Sequence, residues 1–244
     1  ELAESKAVHF AELKTLVIDE ADKMLHVGFK DELSRIVKRI PARCQNLLFS
    51  ATLSDDLKAI NQLVLNDPEV IEIESEPDGI EQIEQLAYFV SDEKKGPLLR
   101  YLIKTNEWKQ VLVFTSSAHR ANAVANKLFA NGIEAEAIHG EKTQGVRTNL
   151  LTRFKTGKLR VLVATDLLSR GIDIDLLPIV INYELPRSPK DYIHRIGRTG
   201  RAEAFGKAIS LVSPNEENHF KLIQKKMGKW VDKVNMEGIS LQGF

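Results

Sequence analysis

Two runs of consecutive apolar residues, Val111-Leu112-Val113-Phe114 and Val161-Leu162-Val163-Ala164, do most to restrict the folds open to this chain. A strand with one face in water alternates apolar and polar residues, whereas a strand that is apolar at every position needs both faces covered. Each run is bounded by polar turn residues, and the chain between such runs has helical length and spacing, so the covers are helices and the strands run parallel. Strands are expected at 84–90, 111–114, 135–138, 160–164, 178–182 and 208–212, with helices at 96–105, 119–131, 144–156, 188–196 and 215–227. That alternation predicts an α/β domain, a parallel sheet with helices on both faces. Residues from 229 onward lack periodicity and read as a tail.

The earlier part of the chain repeats the pattern on a smaller scale. An apolar run at 13–18 ends in Asp19-Glu20-Ala21-Asp22, placing three carboxylates at the carboxyl end of a strand, where open parallel sheets bind ligands. A helix is expected over 30–39, with Leu33, Ile36, Val37 and Ile40 at helical spacing. A strand at 46–49 then delivers Ser50-Ala51-Thr52, Ser54 caps a further helix with Asp55 and Asp56 in its first turn, and 70–73 reads as a strand. Residues 74–79 are acidic, hold Pro77 and Gly79, and read as connecting chain. The expected division is a first domain at 1–77, a linker at 78–83, a second domain at 84–213, and a C-terminal helix and tail at 214–244.

Charge is distributed unevenly along these parts. Residues 1–77 hold 9 basic against 15 acidic side chains, 78–213 hold 20 against 15, and 214–244 hold 5 against 4. The basic second part suits an anionic partner. Cys44 is the single cysteine, which excludes an intrachain disulfide. No apolar run approaches the ~18–20 residues that span a bilayer, and the first residues have no signal-peptide character. A monomeric cytoplasmic protein is expected, nuclear being the alternative in a eukaryote, with no membrane contact. The chain does not begin with Met, so its natural start is expected upstream.

The octapeptide His194-Arg195-Ile196-Gly197-Arg198-Thr199-Gly200-Arg201 gathers three arginines and two glycines after an apolar helix. Guanidinium forks match phosphate oxygens, and glycine lets backbone approach a ligand, so the cluster suits a triphosphate or a nucleic-acid backbone. The plainer reading is a solvated basic turn. Likewise, an apolar strand ending in Asp19-Glu20 is what a Mg²⁺-assisted nucleotide hydrolase needs, and equally what caps a neighbouring helix.

The run Val17-Ile18-Asp19-Glu20-Ala21-Asp22-Lys23-Met24-Leu25 closely resembles the motif that gives DEAD-box RNA helicases their name. Ser50-Ala51-Thr52 is similar to that family's Ser-Ala-Thr motif. Val113-Phe114 with Ser116-Ser117 resembles motif IV, and His139-Gly140 with Gln144 and Arg147 resembles its Gln-x-x-Arg element. Ala164-Thr165-Asp166 through Ser169-Arg170-Gly171-Ile172-Asp173 resembles motif V, and the octapeptide resembles motif VI. The six motifs follow in family order from 17 to 201. On this resemblance the chain is identified as a member of the DEAD-box ATP-dependent RNA helicases of superfamily 2.

The resemblance implies RecA-like parallel sheets with helices on both faces, a partial first domain and a complete second one. It implies RNA-stimulated ATP hydrolysis coupled to local duplex unwinding, with ATP and Mg²⁺ as cofactors and RNA bound by its backbone without sequence reading. Glu20 would orient and deprotonate the attacking water, Asp19 would hold Mg²⁺ through water, and Arg198 and Arg201 would be arginine fingers. Asp173 would accept from the ribose hydroxyls. Asp22, Ser50, Thr52 and His194 would couple the domains, and Ser117, Arg147, Thr165 and Gly171 would lie along the RNA backbone. Surface placement competes with these roles for Arg147 and Ser117. His119 and His219 read as surface histidines, and Met24, Met227 and Met236 as packing residues. Trp108 and Trp230 lack the companion aromatics of a base-stacking platform.

The sequence departs from the family in lacking parts expected before Leu13: its phosphate cradle, its adenine-reading glutamine segment and its first RNA-contact motifs. It has no Gly-x-x-x-x-Gly-Lys-Ser/Thr phosphate cradle; Gly140-Glu141-Lys142-Thr143-Gln144-Gly145 has the glycine spacing but continues Val146-Arg147. The chain is therefore expected to be a helicase truncated at its N-terminus and inactive alone. The alternative is a non-catalytic module that binds RNA or a partner through its second domain. Half a sheet in the first domain would leave apolar surface exposed, so 1–77 should be less stable than 84–213.

Overall fold

The computed structural model describes residues 2–21, 24, 29–50, 64–65, 67–72, 83–166, 177–200 and 206–244. The chain divides into two compact units, Glu1–Glu74 and Ser75–Phe244.

In the second unit, strands β3 (Ile83–Phe89), β4 (Val111–Thr115), β5 (Ala135–Ile138), β6 (Val161–Thr165), β7 (Ile179–Asn182), β8 (Gly206–Val212) and β9 (Asp232–Val234) form one sheet in the order β5-β6-β4-β7-β8-β3-β9. Every pairing is parallel among the described residues. The continuously apolar strands are explained by the pleat. Val111, Val113, Val161, Val163, Ile179 and Ile181 point to one face, where α2 (Asp92–Thr105) and α3 (Ala118–Ala130) cover them. Their neighbours Leu112, Phe114, Leu162, Ala164 and Val180 point to the other, packed against Leu150 and Phe154 of α4 (Gln144–Lys155). Further along that second face, α5 (Pro189–Ile196) and α6 (Glu217–Met227) bury Tyr192, Ile196, Phe220 and Ile223 against Ile83, Ala87, Ala208 and Val212.

Helix α2 begins at Asp92, four residues before the expected start at 96, because Gly96-Pro97 reads as a break and is none. An internal proline costs a helix about 3 kcal/mol. Burial of Leu98, Leu99, Leu102 and Ile103 contributes about 1.5–3 kcal/mol each, which outweighs it. Lys95, 2% exposed, anchors the same turn by an ion pair with Glu216 at 2.5 Å.

The expected tail is docked. Its β9 extends the sheet alongside β3, Met236, Ile239 and Leu241 pack on the main core, and Phe244 meets Tyr101 edge-on at 5.2 Å between centroids. Three strand residues carry too little periodicity to announce themselves; the apolar surface that receives them supplies the order.

The first unit holds β1 (Thr15–Ile18) and β2 (Gln45–Leu48) in parallel, with α1 (Lys30–Val37) after β1. Its core is small, centred on Ile18, Ala21, Leu33 and Val64, and Val17 and Phe49 are 56% and 54% exposed. Residues 70–72 form no strand: they have no partner among the described residues, and Val70 and Ile71 are exposed. Ile73, the helix expected from Ser54 and most of the connecting chain lie outside the described residues.

Candidate functional site

Asp19 and Glu20 follow directly on β1, where the backbone leaves the ladder. Phe49 N–H donates to the Ile18 carbonyl at 2.8 Å, and Ala21 N–H donates to the Phe49 carbonyl at 3.1 Å. These two bonds pin both sides of the carboxylate pair to one residue of the neighbouring strand end, so the pair must bulge. The bulge is taken up at Glu20, whose φ of 51° lies in the left-handed region. For a side chain with a Cβ that conformation costs about 1–3 kcal/mol and is typically held where function requires it. Asp19 is exposed, and its Oδ1 accepts from Glu20 N–H at 2.8 Å, which orients the carboxylate. A single oriented, hydrated carboxylate fits a Mg²⁺ ion that keeps most of its waters. Ser50 follows Phe49, half-buried at the end of β2. Asp22 and Thr52 lie outside the described residues.

In the second unit the carboxyl ends of β4, β6 and β7 converge with α5 around a cavity of about 240 Å³. It is lined by Ser116, Asp166, Leu185, Pro186, Arg187, Asp191 and Arg195. The expected cluster of three arginines facing a phosphate ligand needs correction, since Arg195 is fully buried. Its guanidinium donates from Nε and Nη2 to the two oxygens of Asp166 at 2.5 and 2.8 Å, and from Nη1 to Asn182 Oδ1 at 3.1 Å and the Glu184 carbonyl at 2.7 Å. It also lies 5.0 Å from the Phe114 ring centroid. Burying a guanidinium is costly unless its donors and charge are matched, and here a planar fork meets a carboxylate edge-on. Arg195 thus ties the residue after Thr165 to the turn that carries Arg198.

That turn is held from its other side as well. Leu177 N–H donates to the Arg198 carbonyl at 3.0 Å, and the fully buried Thr199 hydroxyl donates to the Leu177 carbonyl. Gly206 packs so closely on Thr199 and Gly200 that a Cβ there would overlap both. Arg198 and His194 are half-buried on this fixed frame. Arg201, Gly171 and Asp173 lie outside the described residues.

Ser117 caps α3, its Oγ accepting from Arg120 N–H at 3.2 Å, so its exposed hydroxyl keeps a proton to donate. Neighbouring Ser116 donates from N–H and Oγ to Glu184 at 2.8 and 2.7 Å, and Arg120 Nε donates to the same carboxylate at 3.0 Å. Glu184 therefore links the loop after β4, through its side chain, to Arg195, through its carbonyl. Thr165 is buried at the end of β6. Arg147 stands in the first turn of α4, and its Nε is buried with no hydrogen-bond partner. An unmatched buried donor on a cation is costly to leave unpaired, which favours a binding role over a solvated charge.

Sequence reasoning missed Arg195, Asp166, Glu184, Ser116 and Arg120. Ser116, Asp166 and Arg195 stood inside the quoted motifs, but nothing local distinguishes a buried guanidinium from an exposed one. Behind the cavity, Glu216 accepts from Lys95, from Ser213 N–H and Oγ and, through Oε1, from Leu185 N–H. Burial pushes its carboxyl up, but Lys95 and Ser213 more than offset this and hold it below its usual range. His219, expected as a surface histidine, is part-buried and its Nε2 lies 2.7 Å from the Pro186 carbonyl, so it helps fix the cavity wall. Met24, Met227 and Met236 do pack against the cores. Tyr192, on the buried face of α5 beside Ser210, has its phenol pushed up to about 12 by desolvation.

Residues 2–60 match a family model described as DEAD/DEAH box helicase, and 93–203 match one described as helicase conserved C-terminal domain. An ATP-dependent RNA helicase CshA of Listeria monocytogenes is 40% identical over 217 residues, covering 89% of this chain and 42% of the relative. The chain thus spans less than half the length of that relative. A structure of Dbp5 from S. cerevisiae bound to RNA and ADP BeF3 superposes with a TM-score of 0.84 at 32% identity, over 97% of this chain and 63% of the other. The E. coli DEAD-box protein SrmB, solved bound to regulator of ribonuclease activity A, is 36% identical with a TM-score of 0.60, over 63% of this chain and 91% of that one.

Proposed function

Because this chain belongs to the DEAD/DEAH box helicase family, we propose that the protein it forms part of couples ATP hydrolysis to local unwinding of RNA duplexes. The observation that carries the reading is the buried Arg195–Asp166 pair, which locks the residue after Thr165 to the turn bearing Arg198. In this reading Thr165, Ser117, Arg147 and Gly171 bind the RNA backbone, and Arg198 and Arg201 stabilise charge on the transferring phosphoryl group. Asp19 would hold Mg²⁺ through water, and the bound ion would supply positive charge to offset the ATP phosphates. Glu20 orients the attacking water and takes its proton, and Asp173 accepts from the ribose. Asp22, Ser50, Thr52 and His194 carry the nucleotide state to the RNA-binding residues. The hydroxyl proton of Ser117 and the unmatched Nε of Arg147 support the RNA assignments, and the strained Glu20 supports the catalytic one.

Residues 1–244 contain no glycine-rich phosphate cradle with its lysine, so this stretch alone binds RNA weakly and does not turn over ATP. The test is RNA-stimulated ATP hydrolysis in the protein extended upstream through such a cradle. Arg198→Ala should lower kcat by about 10³-fold or more, the usual contribution of an arginine finger. An undiminished rate removes Arg198 from the mechanism. Turnover by residues 1–244 alone that is lost in Glu20→Gln would refute the non-catalytic reading of this stretch.

A further inference from the structure

Helix α6 is apolar on one side only. Phe220 and Ile223 are buried and Met227 packs beside them, while Lys221, Leu222, Lys225 and Lys226 face water. Residues 218–231 hold four lysines and no carboxylate, the acids nearest in sequence being Glu217 and Asp232 at either end. Gly228, at φ 75°, ends the helix and donates its N–H to the Gln224 carbonyl at 3.0 Å. One residue after Trp230 the backbone is tied again: Val231 N–H donates to Gln224 Oε1 at 2.8 Å. Both ends of the turn are thus fastened to the last turn of α6, yet the Trp230 indole is 70% exposed. Tryptophan is highly buried on average, so a side chain presented to water on a fixed backbone marks an interaction surface. Beyond it, after Asp232, β9 carries exposed Lys233, its Nζ 4.4 Å from the ring centroid of Phe89, which meets Phe220 of α6 edge-on.

We propose that the α6–β9 surface is a second binding site for single-stranded nucleic acid, in which a base stacks on Trp230 and the flanking phosphates pair with Lys221, Lys225, Lys226 and Lys233. A flat aromatic face on a stretch that holds lysines and no carboxylate between Glu217 and Asp232 is the chemistry that binds a strand regardless of sequence. An anionic membrane is a poorer match, because insertion needs a broad apolar face and only Leu222 and Trp230 supply one here. The single aromatic is enough for one stacked base, where a platform of several was absent from the sequence. The site uses none of Ser117, Arg147 or Thr165 and requires no catalysis, so it stands or falls independently of the helicase reading.

Trp108→Phe leaves Trp230 as the only tryptophan, whose fluorescence is titrated with a 20-nucleotide oligouridylate at low salt. Quenching is expected. Trp230→Ala, read by anisotropy of labelled RNA, and Lys225→Ala/Lys226→Ala should each weaken binding about tenfold, the latter lowering the salt slope by about 1.4. Trp230, Lys225 and Lys226 are exposed, Trp108 and Arg147 half-buried, and circular dichroism verifies the folding of every variant. Quenching that persists in Arg147→Ala supports a separate site. No quenching, affinity unchanged in both variants, or equal quenching by polyglutamate or phosphatidylserine vesicles overturns the proposal. Weakening by Arg147→Ala alone overturns it while leaving the helicase reading intact.

Discussion

Replacing Asp166 by Ala should destabilise the second unit more than its partial exposure suggests, because the cost falls on Arg195. With Asp166 gone, a guanidinium with no exposed surface keeps Asn182 Oδ1, the Glu184 carbonyl and the Phe114 ring, but loses its counter-charge and the partners of Nε and Nη2. Breaking a fully buried pair typically costs about 3–5 kcal/mol. The Asp166 side chain is 32% exposed, so water reaches the vacated position and the lower end, about 3 kcal/mol, applies. Arg195→Met leaves a carboxylate that can hydrate and two acceptors short of a donor, at about 2 kcal/mol. The double variant has no stranded charge and should also cost about 2–3 kcal/mol, giving a coupling of about 2 kcal/mol or more. Urea unfolding followed by tryptophan fluorescence measures it, since Trp108 and Trp230 both lie in the second unit. Additivity within about 0.5 kcal/mol would show that the two side chains do not act as a pair and would refute the reasoning.

The Glu216 carboxyl, held below its usual 4.5 in the fold, stabilises fully at neutral pH and loses that contribution as pH falls through its folded value. Glu216→Gln should therefore lower the urea midpoint at pH 7, with the gap closing under acid; a constant gap between pH 7 and pH 3 contradicts the assignment. Hydrogen exchange should be about a hundredfold faster at Val17 and Leu48 than at Val113 and Val163, given the small core of the first unit. Equal protection in both units would overturn that ranking.

Much of the second unit was legible because its strands are buried on both faces: Val111 through Phe114 and Val161 through Ala164 state their environment residue by residue. Asp19, Glu20, Ser117 and Thr165 could be placed at strand ends and helix starts, and Arg198 just past a helix end, since a motif sitting at the end of an apolar run has little choice. The docking of β9 and the continuation of α2 through Pro97 could not be read, because in each case the deciding contacts lie on other segments.

The sequence by itself determined the layering of sheet and helices, and which residues stand at the carboxyl ends of β1, β4 and β6. Only the tertiary structure decided that Arg195 is a buried clamp whereas Arg198 is half-exposed, that Lys95 and Glu216 meet across 121 residues of chain, and that the Trp230 turn is fastened down yet open to water. Periodicity is local and reports how a residue is covered. Which charge meets which, and which donor is left unmatched, depends on pairings between distant segments, and these exist only once the sheet has closed.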